Sequence, residues 1–400
     1  MSKEVVLAFS GGLDTSFCIP YLREQGYDVV TLFVDSGGTD DAEKEYIARR
    51  SAELGAVAHF VEPIGEALWR EVVVPLLRGG QLYQGQYPLL CSDRYLIVRR
   101  SLELARRRGT SLFAHGCTGM GNDQVRFDAT VRALGEFTIL APIRDVQSQH
   151  ANVRAFEQSY LEERGFSVRA KTTRYSINSN LLGVTTSGGE IDAFQAPGPE
   201  TWVLTAPPSE WPREPRRATI AFSRGEAVAL DGQRLPGDEM LRQLNRLFGA
   251  YGVGRSIYTG DTSIGLKGRI VFECPGITAL LLAHRALEEA VLTAQQNAFK
   301  PIAAQRWVEL VYKGLFYEPL KYDLEAFLES SQRFVSGSVT LETSGGLATA
   351  VAVESEHLLK NAKAVYAQSA DWSAAQAEGF IQLFAQSTTL SSRVNPIERL

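Results

Sequence analysis

Short, mostly apolar runs punctuate the first 165 or so residues, at 5–9, 29–34, 57–61, 111–115 and 137–141. Runs of this length without a polar face suit strands covered on both sides. Amphipathic stretches lie between them. Residues 40–54 place Ile47, Ala48, Ala52 and Leu54 among charges at helical spacing. A further helix is expected to begin near Ser92 and to end at Arg106-Arg107-Arg108, ahead of Gly109, where cations complement the helix dipole. Regular alternation of strand and helix predicts an open parallel sheet with helices on both faces. Ligands of such sheets sit at the carboxyl ends of the strands. Ser10, Asp35 and Gly116 all follow strand ends, so they are expected to converge on one crevice.

Beyond about Lys171 the alternation fails. Residues 175–180 and 185–189 read as polar, turn-rich segments, and prolines crowd the stretch from Pro197 to Pro215. Strand pairs follow at 219–222 with 227–230 and at 338–343 with 347–353, the second around Ser344-Gly345-Gly346. Helical patterns occupy 238–251, 278–298 and 303–312. An α+β region is therefore expected after the parallel sheet. A last helical pattern near 373–386 lacks the partners for a core of its own, and such an arm is expected to pack on another subunit. The division expected is 1–168 for the α/β domain, 169–360 for the α+β domain and 361–400 for the arm.

Composition narrows the class. Apolar residues make up 44% of the chain and charged residues 22%, the proportions of a globular protein. Lys plus Arg number 41 against 46 Asp plus Glu, so the net charge of -5 points away from nucleic acid. Cys18, Cys91, Cys117 and Cys274 show no C-x-x-C spacing, which argues against a zinc site or a disulfide framework. Without an apolar run of membrane-spanning length or a basic-then-apolar leader, a cytoplasmic protein with no membrane partner is expected.

Two loops carry candidate chemistry. The first is Ala8-Phe9-Ser10-Gly11-Gly12-Leu13-Asp14-Thr15-Ser16, between a strand and a helix that continues through Phe17 with Pro20 near its first turn. Glycines without Cβ atoms let backbone N–H groups close on an anion. Ser10, Thr15 and Ser16 add hydroxyl donors, and the helix N-terminus adds partial positive charge. Asp14 stands where a carboxylate would hold magnesium beside phosphates. No Gly-Lys-Ser/Thr follows, so this is not a Walker loop. The second loop runs from His115 to Phe127 with three glycines in six residues, shaped for close approach of a ligand. It offers Asn122, Asp123 and Arg126 within five positions, and Asn122 and Arg126 share a face if a helix starts there.

With these pieces placed, the sequence resembles the argininosuccinate synthases over nearly its whole length. The resemblance rests on residues 8–16, on Tyr87-Pro88-Leu89 with Ser92, and on the loop ending Gly121-Asn122-Asp123. Tyr175-Ser176, Tyr251-Gly252-Val253-Gly254-Arg255 and Ile264-Gly265-Leu266-Lys267 add to it. It implies a ligase that adenylylates the ureido oxygen of citrulline with ATP and Mg2+, releases pyrophosphate, and displaces AMP with the α-amine of aspartate. By position, ATP would meet Ala8, Phe9, Ser10, Gly11, Gly12, Leu13, Asp14, Thr15, Ser16, Val34 and Gly116, with Asp14 the metal ligand. Aspartate would meet Tyr87, Ser92, Thr118, Asn122 and Asp123; citrulline would meet Asn122, Arg126, Ser176 and Thr185. Asp14, Asp123 and Arg126 would be catalytic. The resemblance also implies a homotetramer with a swapped C-terminal arm, and it makes 169–360 the synthetase domain.

Departures from the family pattern cluster on the acceptor side. The usual Gly-Thr-x-Leu-Ala-Arg-Pro is here Leu90-Cys91-Ser92-Asp93-Arg94-Tyr95-Leu96, and a lysine of the glycine loop is Met120. The glutamate that meets the citrulline α-ammonium falls at Gly260, and a substrate tyrosine falls at Phe272. Asp261, one position on, is the candidate replacement carboxylate. Free citrulline is the acceptor this reading expects. An N-acylated citrulline, or another ureido or carbonyl acceptor, is the alternative.

Overall fold

The computed structural model describes residues 3–150, 152–169 and 174–395. The chain forms two compact units, residues 1–357 and 358–400.

The five expected strands form one parallel sheet: β1 (Lys3–Ala8), β2 (Tyr27–Asp35), β3 (Ala58–Pro63), β4 (Leu112–Ala114) and β5 (Thr138–Leu140). Their order is β3-β2-β1-β4-β5. The chain fills one half of the sheet outward from β1 and then returns to the other side of β1. The carboxyl ends of β1 and β4 therefore flank the point where the order reverses, the place such sheets bind ligands. Val5, Val6 and Leu7 are fully buried, which explains why β1 reads as an unbroken apolar run.

The helix after β1 runs Leu13–Glu24 with Gly12 as its N-cap, so Pro20 lies in its interior and not near its first turn. The helix starts within the glycine motif itself, which leaves seven helical residues ahead of Pro20. The Pro20 ring removes one interior N–H donor that would otherwise bond the carbonyl of Ser16. The helix Asp93–Arg107 ends as expected. Arg107 pairs there with Glu62 and Arg108 with Glu4, so the basic cluster fastens a helix end.

Of residues 175–180 and 185–189, expected to be turn-rich, 176–180 and 185–187 lie in strands instead, while Gly188 and Gly189 do form a turn. The strands are β6 (Ser176–Asn180) and β7 (Gly183–Ser187), joined in an antiparallel pair. Past the proline-rich stretch come β8 (Arg216–Ser223), β9 (Glu226–Leu230), β10 (Gln233–Arg234), β11 (Arg255–Asp261) and β12 (Lys267–Glu273). The last two strands are β13 (Gly337–Ser344) and β14 (Leu347–Glu354). One antiparallel sheet has the order β11-β12-β7-β6 and the other β10-β9-β8-β13-β14. β7 is held by β12, more than eighty positions away in the chain, so no local apolar pattern announces it.

The helical pattern over 278–298 is two helices, Pro275–Val291 and Ala294–Tyr312. Thr293 caps the second through a capping box with Gln296, which stops one helix and starts the next. One apolar cluster joins Val6 and Leu32 of the parallel sheet to Phe248, Trp307 and Val339. The three sheets of the first unit therefore share a core. Within the second unit the expected helix runs Ala374–Val394. No helix among the described residues is long and apolar enough to cross a membrane.

Candidate active site

The glycine turn is folded by its own hydroxyls. The Ser10 amide donates to Thr15 Oγ1 at 3.3 Å, and the two hydroxyls lie 3.1 Å apart. Thr15 Oγ1 also lies 3.4 Å from the Gly12 carbonyl, and the Ser16 hydroxyl lies 3.4 Å from that of Gly11. Gly11 sits at φ +75°, and a Cβ there would fall 2.8 Å from Ile47 Cγ1. Only glycine combines that backbone angle with that clearance. Gly116, just past β4, would place a Cβ 3.1 Å from Thr15 Cγ2 and 3.3 Å from Thr15 N, so this loop lies close against the first turn of the helix Leu13–Glu24.

Beside them opens a cleft of about 950 Å³. All the positions expected to meet ATP, from Ala8 through Ser16 with Val34 and Gly116, line it. Ser176, Asp123 and Arg94 line it as well, so the cleft reaches the second loop and β6.

Beneath Asp14 lies the helix Val153–Glu162. Its Glu157 is fully buried, and its carboxyl faces that of Asp14. Burial, and then the charge of Asp14, pushes the Glu157 carboxyl up to about 9. Burial raises Asp14 too, against the pull of Arg154. Two carboxyls in this setting hold one proton between them or share a cation.

The second loop ends in the helix Asn122–Leu134, so Asn122 and Arg126 do lie one turn apart. Asp123 takes Arg126 Nη1 at 2.7 Å and Arg94 Nε at 3.0 Å. Burial would raise its carboxyl, but the two guanidinium groups outweigh that and hold it at about 2. Arg126 is buried, donates from Nε and Nη2 to the Tyr312 carbonyl, and stacks 5.0 Å above the Tyr312 ring. Asn122 donates to the Tyr312 hydroxyl at 3.1 Å and accepts from the Ser263 amide at 2.8 Å.

The remaining acceptor-side candidates are less gathered. Tyr87 and Ser92 are buried, and the Ser92 hydroxyl bonds the Leu89 carbonyl at 2.8 Å. Thr118 is half-buried on the glycine loop, and Thr185 on β7 faces Asn178 of β6 in the ladder. Asp261 is tied to Lys267 Nζ at 2.6 Å and to Gln84 Nε2 at 2.8 Å. Gly260 has no room for a side chain: a Cβ would fall 2.1 Å from the Tyr258 hydroxyl and 2.3 Å from Gln84 Oε1. The Gln84 carboxamide fills that space. Of the aspartate and citrulline candidates, Asp123 and Ser176 line the cleft; Tyr87, Ser92, Thr118, Asn122, Arg126, Thr185 and Asp261 do not.

Sequence reasoning passed over Arg94, Glu157 and Tyr312. Arg94 had a signal, since it stands in the stretch that departs from the family pattern. Tyr312 lies 190 positions from Asn122, and nothing local marks it.

Sheet order, glycine turn and cleft together define an α/β nucleotide-binding enzyme whose phosphate loop lacks the Walker lysine. Comparison with known proteins makes this specific. Residues 4–165 match the "Arginosuccinate synthase N-terminal HUP domain" family and residues 175–391 the "Arginosuccinate synthase C-terminal domain" family. The chain is 61% identical over 394 residues to argininosuccinate synthase of Xanthomonas campestris pv. campestris, covering 98% of this chain and 99% of that one. It is 59% identical to that of Xylella fastidiosa, covering 98% of each chain. To that of Bacillus subtilis it is 36% identical, covering 100% of this chain and 98% of the relative. The chain belongs to the argininosuccinate synthase family.

Proposed function

We propose that this chain is an ATP-dependent carbon–nitrogen ligase that joins citrulline to aspartate and releases AMP and pyrophosphate, a step of arginine biosynthesis. In the first half-reaction the ureido oxygen of citrulline attacks the α-phosphorus of ATP. The bond to the β-phosphate bridge breaks, and the electron pair leaves with pyrophosphate. In the second, the free α-amine of aspartate adds to the ureido carbon, AMP departs with the carbon–oxygen bonding pair, and the amine gives up a proton. The observation that carries this reading is the single cleft, which runs from the glycine turn to Asp123 and Ser176.

In this reading the backbone of 8–16, with Val34 and Gly116, binds ATP, and the helix N-terminus stabilises the charge that grows on pyrophosphate. Tyr87, Ser92, Thr118, Asn122 and Asp123 hold aspartate. Asn122, Arg126, Ser176, Thr185 and Asp261 hold citrulline. Asp123, kept ionised by its arginines, holds an ammonium well and takes a proton poorly. Catalysis then rests largely on placing the amine in line with the activated carbon.

The donor set at Asp14 fits Mg2+. The buried Glu157 carboxyl stands beside that of Asp14, and paired carboxylates suit a hard divalent cation. When bound, the ion would neutralise charge on the departing pyrophosphate. The division into residues 1–168, 169–360 and 361–400, a homotetramer built through the arm, and a cytoplasmic setting complete the reading. The exposed apolar helix 374–394 and the small soluble substrates support them.

The test is product analysis with ATP, citrulline, aspartate and Mg2+. AMP and pyrophosphate should form only when both amino acids are present, and Asp14→Asn should lower turnover about 100-fold or more. Release of ADP and orthophosphate, or equal use of ammonia in place of aspartate, would overturn the assignment.

A further inference from the structure

Arg94 lies where three parts of the first unit meet. From the first turn of helix Asp93–Arg107 it grips Asp93 through Nη1 at 2.8 and 2.9 Å. Its Nε reaches Asp123 at 3.0 Å on the second loop's helix. Its Nη2 reaches Asn178 Oδ1 at 2.8 Å on β6. The side chain is only 13% exposed, and what shows lines the cleft. A planar guanidinium with all three nitrogens engaged fixes the angle between its partners as well as their distance.

We propose that Arg94 is a positioning residue for the acceptor half-reaction. It sets the Asp123 carboxylate in the direction in which the aspartate amine is received, and it holds β6, with Ser176 two positions before Asn178, at a matching distance. This rests on the function proposed above. The geometry of the partners favours it over a merely structural role. Asp93 alone saturates Nη1, and an arginine serving only the fold has no need of contacts to two cleft-wall elements. Arg126 makes the complementary bond to Asp123 but is turned away from β6, toward the Tyr312 carbonyl. Arg94 alone of the two spans the cleft wall.

Charge follows position. The groups facing Asp123 are Arg94 from the helix Asp93–Arg107, Arg126 from its own, and the thiols of Cys91 and Cys117, which burial pushes up and keeps neutral. Removing Arg94 leaves Asp123 with one cation, so its carboxyl should rise.

The experiment compares Arg94→Gln, Arg94→Lys and Asn178→Ala with the unsubstituted enzyme. Asn178 is exposed, so its loss leaves folding intact and isolates the β6 anchor. Arg94→Gln should raise KM for aspartate about 100-fold, the order expected when one partner of a desolvated pair is removed. KM for ATP should move less than about threefold. Arg94→Lys should recover part of the loss, and Asn178→Ala should raise KM for aspartate about threefold to tenfold. The acid limb of the pH profile of kcat/KM for aspartate should move up by about one pH unit in Arg94→Gln. Equal rises in KM for ATP and aspartate, or an unmoved acid limb, would overturn the proposal. If Arg94→Gln does not fold, Asn178→Ala with an unchanged KM for aspartate overturns it. Failure of the unsubstituted enzyme to release AMP in the presence of aspartate would instead sink the functional reading.

Discussion

At the scale of single residues, Glu157 ties stability to pH. Its carboxyl ionises near its ordinary value when unfolded and at about 9 in the folded chain, because burial and the charge of Asp14 disfavour the anion. A raised folded value means the stabilising proton is fully in place below the unfolded pKa. Stability is then lost as pH climbs toward about 9 and levels off above it. One proton taken up on folding amounts to a slope of about 1.4 kcal/mol per pH unit. Without metal or nucleotide, urea unfolding at pH 6 and pH 8 should show a loss from this source of up to about 3 kcal/mol. Glu157→Gln, which keeps shape and loses charge, should remove that part of the pH dependence. Parallel pH curves for the two proteins would show that Glu157 is not the group that holds the proton.

At the scale of elements, the site depends on a contact that no sequence pattern announces. The loop after β2 and the corner between β6 and β7 bond through Leu181 N to Ser36 O at 2.7 Å and through the Ser179 hydroxyl to Gly38 O at 3.2 Å. A Cβ on Gly38 would fall 2.4 Å from the Ser179 carbonyl carbon and 2.5 Å from Asn180 N. Both are backbone atoms, so no rotamer relieves the clash. Gly38→Ala should therefore push β6 away, cost about 2 kcal/mol of stability, and raise KM for ATP, whose cleft Gly38 lines. An unchanged urea midpoint together with an unchanged KM would refute this account of how the sheets are joined. The same contact explains what was legible. The parallel sheet could be read because burial on both faces writes apolar runs into each strand, and the glycine turn because its backbone angles demand glycine. β6 and β7 could not, since β7 is held by the distant β12, β6 is held only by β7, and β6 is polar apart from the exposed Ile177. The break at Thr293 was hidden because apolar periodicity runs through it, although Thr293 and Gln296 carry a capping signature. The proposed nucleotide half of the site was visible as one contiguous motif. The proposed acceptor half draws on Arg94, Asp123, Asn178 and Tyr312, which only the folded chain brings together.

At the scale of the whole molecule, the second unit raises the question of association. Its helix Ala374–Val394 has no buried residue among those described. Phe380, Leu383 and Phe384 are 64%, 76% and 78% exposed, a concentration of large apolar side chains that a lone helix in water does not sustain. Helices of this length draw most of their stability from packing an apolar face, so this one needs a surface to cover it. The proposed tetramer supplies it from other copies of the chain. Burying a Leu or Phe side chain contributes about 1.5–3 kcal/mol, so charging two neighbours removes at least about 3 kcal/mol per helix. Since 1.4 kcal/mol is a factor of ten, each such contact should weaken by about 100-fold or more. Leu383→Glu combined with Phe384→Glu should therefore convert a large species in sedimentation velocity to one of lower mass at micromolar concentration. Both residues lie in the second unit and outside the cleft-forming first one, so the nucleotide cleft itself should keep its affinity for ATP. An unsubstituted chain that already sediments as a monomer, or a doubly charged variant of unaltered mass, would show that the arm is not what holds the subunits together.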